Sequence, residues 1–338
     1  MPPSGTLAVL GPNAGDDLSA LPRAQLEVVQ GVRPDYDHFA ALGYRVTPTI
    51  GGPYAAGVVC LPRARGEGEA MVAAAATAVV PGGPILIDGQ KTDGIDAMLR
   101  ACRARVPLLF DPISKAHGKI FAIAANAAAF ADWLPRPQTT PDGFHTAPGV
   151  FSADAPDPGS MLLAAHLPEE LGGRVADLGA GWGYLAAAAL GNSRVEEIHL
   201  IEADHAAVAC ARRNITDPRA RFHWADVTAF AGALPANRRF NWVISNPPFH
   251  TNRAADPQVG IAFIRAAARI LTGSGTCLIV ANRHLPYEHA VSEHFATATT
   301  VADMAGYKIF RASGPQSINA AAPRPARGRG KSRHRQRG

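Results

Sequence analysis

A short segment, Asn246-Pro247-Pro248-Phe249, follows the apolar residues 242–244 and Ser245. Two successive prolines stop a β-sheet and stiffen the chain that leaves it, because proline has no N–H and a fixed φ. A simple turn needs only one proline and usually carries Gly or Asp beside it. The segment is therefore typical of a loop that holds one amide and one aromatic ring in fixed positions.

These groups suit the methylation of a planar exocyclic amine. The Asn246 side-chain oxygen and the Pro247 carbonyl can each accept one N–H bond, which would aim the nitrogen lone pair at a methyl group. Phe249 can stack on a base, which contributes about 1–3 kcal/mol in nucleic-acid sites. We predict that Asn246, Pro247, Pro248 and Phe249 form a catalytic loop, and we interpret His250 as surface rather than as a general base.

A second motif, Asp177-Leu-Gly179-Ala-Gly181-Trp-Gly183, lies between a predicted strand and a predicted helix. Glycines allow a backbone to lie close to a ligand, and nucleotide-binding turns occupy this position. The spacing is not the G-x-G-x-x-G of dinucleotide folds. A pyrophosphate would be repelled by Asp177, whereas an ammonium group would be attracted, so the loop favours S-adenosylmethionine over NAD.

Two further acids follow strands in the same half. Glu202 ends the second predicted strand, where a carboxylate can accept hydrogen bonds from ribose hydroxyls. Asp226 ends the third, where it can accept from an adenine amino group while the Val227 N–H donates to a ring nitrogen. Asp226 alone could equally cap a helix, but its order and spacing with the other acids favour the ligand role.

The elements that must position these motifs alternate between strand and helix. This alternation predicts an α/β fold with a doubly wound, mostly parallel sheet and ligands at the carboxyl ends of its strands. The helix in "VGIAFIRAAARILTGSG" is predicted to stop at Gly273. The strands "TTVADMA" and "YKIFRA" are separated only by Gly306, too short for a crossover helix, so they should be antiparallel.

The first half shows the same rhythm without the motifs. "GPILIDG" and "VPLLF" are strand-like, and "DGIDAMLRACRAR" is helical with Asp93 as its N-cap. No D-x-G-x-G-x-G occurs there, so this half cannot bind the cofactor in the same way. Residues 134–160 are rich in Pro, Gly, Ser, Thr and Asp, which predicts a linker or a long loop between domains. We expect domains at 1–140 and 161–313, a linker or loop at 141–160, and a disordered tail at 314–338.

Composition limits the class of protein. The 338 residues are 47% hydrophobic and 18% charged, which is enough for a packed core. No apolar stretch approaches the roughly 20 residues that span a bilayer, and the N-terminus does not resemble a signal peptide. Four cysteines without C-x-x-C spacing argue against a zinc site or a disulfide framework and favour the cytoplasm. No metal site is predicted.

Charge is distributed unevenly along the chain. The formal net charge is +5, with 33 basic and 28 acidic residues, but seven basic residues lie in the tail; the remaining 26 against 28 give about −2 for the body. The tail is interpreted either as an attractor of RNA phosphates, sensitive to salt, or as a dispensable extension. Its basic residues are Arg324, Arg327, Arg329, Lys331, Arg333, Arg335 and Arg337.

The segments "PGVFSADAPDPGSMLL", "VADLGAGWGYLA", "SNPPFH" and "GYKIFRA" occur in an order that resembles class I S-adenosylmethionine-dependent methyltransferases. More narrowly, residues 148–312 or so resemble the bacterial guanine-N2 methyltransferases of small-subunit ribosomal RNA. The resemblance implies two methyltransferase-like (Rossmann-like) domains, of which the first lacks cofactor and aids RNA recognition and stability. It also implies ribosomal RNA or the small ribosomal subunit as substrate, in the cytoplasm and without a membrane.

Other functions remain open at this point. The same loop chemistry suits adenine N6, guanine N2 of large-subunit RNA, or a protein glutamine amide. A non-catalytic RNA-binding or assembly protein that keeps the fold is an alternative from another class. Thr251 and Asn252 stand where the family usually has Asp-Gly, which leaves the modified nucleotide open. The sequence does not indicate the oligomeric state.

Overall fold

The computed structural model describes residues 4–248, 250–251, 254–255 and 257–316. The first half begins with a sheet whose strands are β1 (Leu7–Leu10), β2 (Leu26–Val29), β3 (Arg45–Thr47), β4 (Ala56–Cys60), β5 (Pro84–Gln90), β6 (Ile113–Lys115) and β7 (Gly118–Ala124). Its helices are α1 (Arg33–Ala41), α2 (Arg65–Ala78) and α3 (Ile95–Arg103).

This sheet has the order β3-β2-β1-β4-β5-β7-β6. Pairing is parallel from β3 to β5 and antiparallel for β7 and β6. All four residues of β1 are buried. A continuous apolar run is what a parallel strand covered on both faces requires.

Two sequence predictions in this half are wrong. "VPLLF" is not a strand: Pro107 has no N–H, and Leu108 forms only an isolated bridge with Ile123. Asp93 does not cap the helix. Gly94, with φ +82°, holds the N-cap position of α3, while the Asp93 carboxylate accepts from the Gln90 N–H.

Residues 134–160, between the halves, contain some regular structure. They include a small antiparallel pair, β8 (Gln138–Thr139) and β9 (His145–Thr146), and then the start of helix α4 (Pro158–Ala165). Asp157 caps α4 by accepting from the Ser160 N–H. The end of this segment is therefore anchored to the second half.

The second half contains strands β10 (Gly173–Leu178), β11 (Val195–Glu202), β12 (Ala220–Trp224), β13 (Phe240–Ser245), β14 (His250–Thr251), β15 (Ala254–Ala255), β16 (Leu271–Asn282), β17 (Phe295–Met304) and β18 (Tyr307–Pro315). Its helices are α5 (Tyr184–Leu190), α6 (His205–Asn214), α7 (Val227–Ala233), α8 (Pro257–Ile270) and α9 (Tyr287–His294). Seven of the strands form a sheet in the order β12-β11-β10-β13-β16-β18-β17.

This order confirms the predicted architecture. The sheet is parallel from β12 to β16, and β18 and β17 add antiparallel at one edge. Helices cover both faces: one apolar core includes Phe240, Ile264 and Tyr287, and the other includes Leu163 and Ile198. The third strand, which has the weakest periodicity, is present as β12.

The predicted helix stop at Gly273 is wrong. α8 ends at Ile270, and Gly273 lies within β16. The Arg239 guanidinium donates to the backbone oxygens of Arg269 (2.7 Å) and Leu271 (3.0 Å). A side chain from another element thus satisfies carbonyls that a glycine cap would otherwise serve. Among the described residues, no helix has the length and apolar character needed to cross a membrane.

Candidate active site

The strand order of the second sheet reverses between β10 and β13, and doubly wound sheets bind ligands at such a reversal. Leu178 of β10 pairs with Ile201 of β11 on one side and with Ser245 of β13 on the other. Glu202, the last residue of β11, and Asn246, the first residue after β13, therefore lie at the same edge of the sheet. The sequence-predicted motifs converge there.

The glycine loop after β10 needs glycine for its backbone. Gly179, Gly181 and Gly183 have φ of +72°, +55° and +96°, a region that costs energy for other residues. A Cβ at Gly183 would lie 2.8 Å from the Ile215 side chain, so packing excludes one as well. A Cβ at Gly181 would meet nothing within 4 Å, which leaves space for a ligand against the loop.

Asp177 lies fully buried in β10, immediately before this loop. Neither carboxyl oxygen forms a regular hydrogen bond with the described residues. Burial, and to a lesser extent the nearby Glu202 carboxylate, raise the pKa of Asp177 to about 8 against the opposing effect of the Ala186 N–H. Because a buried acid without a partner is costly, a cationic group in the cleft would supply what the protein leaves unmatched.

Glu202 connects two loops at the end of β11. Its Oε2 accepts from the Gly181 N–H at 2.8 Å, and its Oε1 accepts from the Asp204 N–H at 2.8 Å. Burial raises its pKa. The carboxylate holds the glycine loop in place, and each oxygen keeps a second lone pair for a ligand hydroxyl.

Asp226 caps α7. Its Oδ1 accepts from the Thr228 N–H at 3.1 Å and its Oδ2 from the Ala229 N–H at 3.3 Å. The Val227 side chain is buried, and as the first helical residue its N–H has no partner inside the helix. Both residues lie at the carboxyl edge of the sheet, and their adenine role stays a prediction.

Asn246 is held by two residues that sequence reasoning did not assign to the site. Its Nδ2 donates to Asp157 Oδ2 at 2.8 Å and to Ser160 Oγ at 2.9 Å. Asp157 is only 9% exposed and is itself fixed as the cap of α4. Because both amide hydrogens are used, the orientation of the amide is set and Oδ1 is left as the acceptor.

The two prolines of the loop at residues 246–249 differ in their exposure. Pro247 is buried and Pro248 is exposed. The Asn246 backbone oxygen lies 3.9 Å from the position of a Cβ on Gly179, so the two loops face each other closely. Phe249 lies outside the described residues, and its stacking role stays a prediction.

The segment before α4 provides one wall of the cleft. Phe151 and Ser152 line it together with the glycine loop and Asn246. The Phe151 ring is 56% exposed, while its backbone oxygen accepts from Trp182 Nε1 at 3.0 Å. An exposed ring fixed through its backbone is suited to stacking against a base.

The first half braces the loop that follows Glu202. The Arg33 N–H donates to the Ala203 oxygen and the His205 N–H to the Gly31 oxygen, both at 2.9 Å. Trp224 Nε1 donates to the Ala203 and Gly31 oxygens at 2.8 and 3.0 Å. The Arg33 guanidinium lies 5.1 Å from the Trp224 ring centroid. The two halves therefore meet beside the cleft.

Comparisons with known proteins agree with this geometry. A family model of the methyltransferase small domain matches residues 142–311. A ribosomal RNA small subunit methyltransferase C from Shewanella halifaxensis is 34% identical over 265 residues, 75% of each chain. The corresponding protein of Shewanella baltica is 30% identical over 323 residues, 86% of this chain and 90% of its own.

The chain belongs to the ribosomal RNA small subunit methyltransferase C family. A solved structure of a T. thermophilus 16S rRNA N2 G1207 methyltransferase, in complex with AdoMet and guanosine, is also similar. It is 26% identical, has a TM-score of 0.75, and covers 93% of this chain and 89% of its own. The likeness thus extends over both halves, which confirms the predicted pair of methyltransferase-like domains.

The family segment "PGVFSADAPDPGSMLL" contained the site residues that reasoning from individual side chains missed. Phe151, Asp157 and Ser160 all lie in it. Its composition is that of a loop, so only the resemblance gave it a functional meaning. The structure gives the physical reason, because this segment forms the wall of the cleft and orients the Asn246 amide.

Proposed function

We propose that this protein transfers a methyl group from S-adenosylmethionine to the exocyclic N2 amine of a guanosine in small-subunit ribosomal RNA. Membership of the methyltransferase C family supports the reaction and the class of substrate. The similar T. thermophilus enzyme acts on G1207 of 16S rRNA. We infer that the equivalent guanosine is the target here, and that the protein acts in the cytoplasm, where ribosomal subunits are made.

The described residues fit the donor. Its ammonium group would provide the partner that the buried Asp177 carboxyl lacks. Glu202 offers acceptors for ribose hydroxyls, and the open side of Gly181 leaves space for the ligand. S-adenosylmethionine supplies a methyl group that is electrophilic because it is bonded to a sulfonium centre.

The catalytic loop prepares the amine for attack. Asn246 Oδ1 and the Pro247 carbonyl each accept one hydrogen of the guanine N2 group, which turns the nitrogen lone pair towards the methyl carbon. The new N–C bond forms as the C–S bond breaks, and the sulfur takes the electron pair. The N2 proton leaves for solvent once positive charge has built up on nitrogen, so no strong base is required. Positioning and electrostatics supply the rate enhancement.

The observation that carries this proposal is the fixed orientation of the Asn246 amide. Asp157 and Ser160 take both amide hydrogens, so Oδ1 is presented as an acceptor at the cleft. A loop with only a structural role would not need its amide oriented by a buried carboxylate. Phe151 and Phe249 are proposed to stack on the target base.

The test is a transfer assay with S-adenosylmethionine labelled in its methyl group. The acceptors are small ribosomal subunits and free small-subunit RNA from a strain that lacks the enzyme, together with large-subunit RNA and a release factor. We expect label only in small-subunit RNA, and N2-methylguanosine on mass spectrometry of its nucleosides. Label in adenosine or in protein glutamine would contradict the proposal, and absence of donor binding by calorimetry would favour a non-catalytic RNA-binding protein.

The division of labour between the halves is part of the same proposal. Residues 161–313 would bind the donor and perform the transfer, with residues 1–140 as a cofactor-free partner domain joined through 141–160. The contacts of Gly31 and Arg33 with Ala203 support a role of the first half in holding the donor loop. RNA recognition by that half remains a proposal.

A further inference from the structure

A broad groove lies at the base of the second half, away from the cleft. Its volume is about 880 Å³, and its walls come from α7, α8, the start of β16 and the end of β18. Arg239 precedes β13 and Asn246 follows it, and the six residues of that strand span about 20 Å. The groove is therefore separated from the catalytic loop by the depth of the sheet.

The groove is positively charged in a body that is otherwise slightly acidic. Arg239, Arg265 and Arg269 line it, and all three are exposed. Glu293 is the acid in the lining. His294 adds no charge near neutral pH, because burial lowers its pKa and Arg265 lowers it further. The local balance of three arginines against one acid contrasts with about −2 for the whole body.

The arrangement of the arginines is linear rather than convergent. Arg265 and Arg269 are one turn apart on α8, about 6 Å along the axis. The helix contains no acidic residue over its whole length. Neither guanidinium has a hydrogen bond or ion pair with the described residues, whereas Arg239 is tied to the end of α8. A row of free guanidinium groups matches a chain of phosphates better than a single small anion.

The chain itself continues the positive charge. β18 ends at Pro315, and the Gln316 N–H donates to the His294 oxygen at 2.9 Å, so the chain passes along the groove. The residues that follow in sequence, 317–338, contain seven Arg or Lys and no acid. Glu293 is therefore the one acid among the lining residues of the groove and residues 317–338 of the sequence.

We propose that this groove binds backbone phosphates of the RNA substrate, at least about six nucleotide steps from the methylated base. This lower limit follows from about 20 Å of direct separation and 3.4 Å per stacked step, since the RNA must pass around the domain. This inference rests on the proposed RNA substrate. Contacts to phosphates position a nucleic acid without reading its sequence, so the groove would set the path of the RNA while the cleft selects the base.

The test compares variants that differ only in exposed arginines. Arg265→Gln with Arg269→Gln removes the free pair, and Arg265→Lys with Arg269→Lys keeps the charge. Arg212→Gln with Arg213→Gln, an exposed pair on α6 that does not line the groove, is the control. Binding of fluorescently labelled, unmodified small-subunit RNA is measured by anisotropy over a range of chloride concentrations, and donor affinity is measured by calorimetry as a check of folding.

We expect the Gln pair to weaken RNA binding about tenfold and to reduce the slope of log affinity against log salt by about 1.4 to 1.8, two phosphate contacts. The Lys pair should retain most of the slope, and the α6 control should match the wild type. An unchanged slope in the Gln pair, or an equal loss in the control, would overturn the inference. Displacement of RNA by inorganic phosphate beyond that by chloride of equal ionic strength would also overturn it, since the groove would then be a small-anion site.

The same samples separate this inference from the proposed function. If the wild type transfers labelled methyl to the RNA but the Gln pair binds RNA normally, only the groove is refuted. If the wild type binds the RNA through the groove but transfers no methyl group, the proposed function fails and the groove stands as an RNA contact.

Discussion

The two halves of the molecule have the same sheet, but the candidate site lies in the second half. The first sheet runs β3-β2-β1-β4-β5-β7-β6, and the second runs β12-β11-β10-β13-β16-β18-β17, which is the same arrangement strand for strand. In both, the last two strands are antiparallel. The fold is therefore independent of the residues that would bind a ligand.

Backbone hydrogen bonds align the two sheets residue by residue. The Gly11 N–H donates to the Val29 oxygen at 2.9 Å, as the Gly179 N–H donates to the Ile201 oxygen at 2.9 Å. By this alignment Val9 stands where the second half has Asp177. An apolar side chain in the first half occupies the position of the unpartnered buried acid.

The other two site positions are replaced in the same way. Gln30 stands in the place of Glu202 and makes a similar turn, with its Oε1 accepting from the Val32 N–H at 2.7 Å. Cys60 stands in the place of Asn246, and burial raises its pKa to about 12, so the thiol stays neutral. Neutral residues are compatible with the fold at these positions, which supports the proposal that the charged and amide groups of the second half bind a ligand.

The largest expected effect comes from the amide. Asn246→Ala should reduce methyl transfer about 10²- to 10³-fold, because it removes a fixed acceptor for the attacking amine. Donor affinity, measured by calorimetry, should be largely unchanged. Cys60→Ala, the matched change in the first half, should leave transfer intact. Equal losses of transfer and donor affinity in Asn246→Ala would mean that the loop is only a wall of the donor pocket.

Asp177 should control donor binding. Asp177→Asn removes a charged partner of the donor ammonium group and should weaken donor affinity about 10- to 100-fold. The measurement is calorimetric titration of the purified protein. Val9→Ala, at the aligned position of the first half, is the control and should bind the donor normally. An unchanged donor affinity in Asp177→Asn would show that this carboxylate does not contribute to donor binding.

Asp177 should lower the free energy of unfolding when the donor is absent. Its folded pKa of about 8 is higher than that of an unfolded Asp, so the folded state holds an extra proton between about pH 4 and pH 8. The free energy of unfolding therefore falls as pH rises through this window. Asp177→Asn should lack this fall and melt about 2–4 °C or more above the wild type at pH 8. Thermal melts of donor-free protein over a pH series provide the measurement, and a lower melting temperature for the variant would contradict it.

Glu202→Gln should have the smallest effect, because Gln30 shows that an amide fits this turn. The amide nitrogen cannot accept from the Gly181 N–H, so one of two backbone hydrogen bonds is lost. We expect donor affinity to fall about five- to tenfold. Gln30→Glu, the reverse change in the first half, should not create a second donor site. A calorimetric stoichiometry of two donor molecules per chain would contradict the proposal that only the second half binds the donor.

The sequence predicted the second half well because its signals are local. The strand ends that carry Asp177, Glu202 and Asn246 follow from apolar runs and from glycine and proline, which act over a few residues. Asp157 could not be found in this way, since its partner Asn246 is 89 positions away and both lie in proline-rich loops. The predictions of Gly273 as a helix stop and of Asp93 as an N-cap were wrong for a related reason. Arg239 and Gly94 provide the caps, and only the folded chain shows Arg239 at the end of α8.

The most direct test is a crystal structure of the protein with S-adenosylmethionine bound. We predict one donor molecule, in the second half, with its ammonium group near Asp177 and its methyl carbon facing Asn246 and Pro247. A donor with its methyl group turned away from residues 246–249, or a donor seated at Gly11 and Gln30 of the first half, would contradict it.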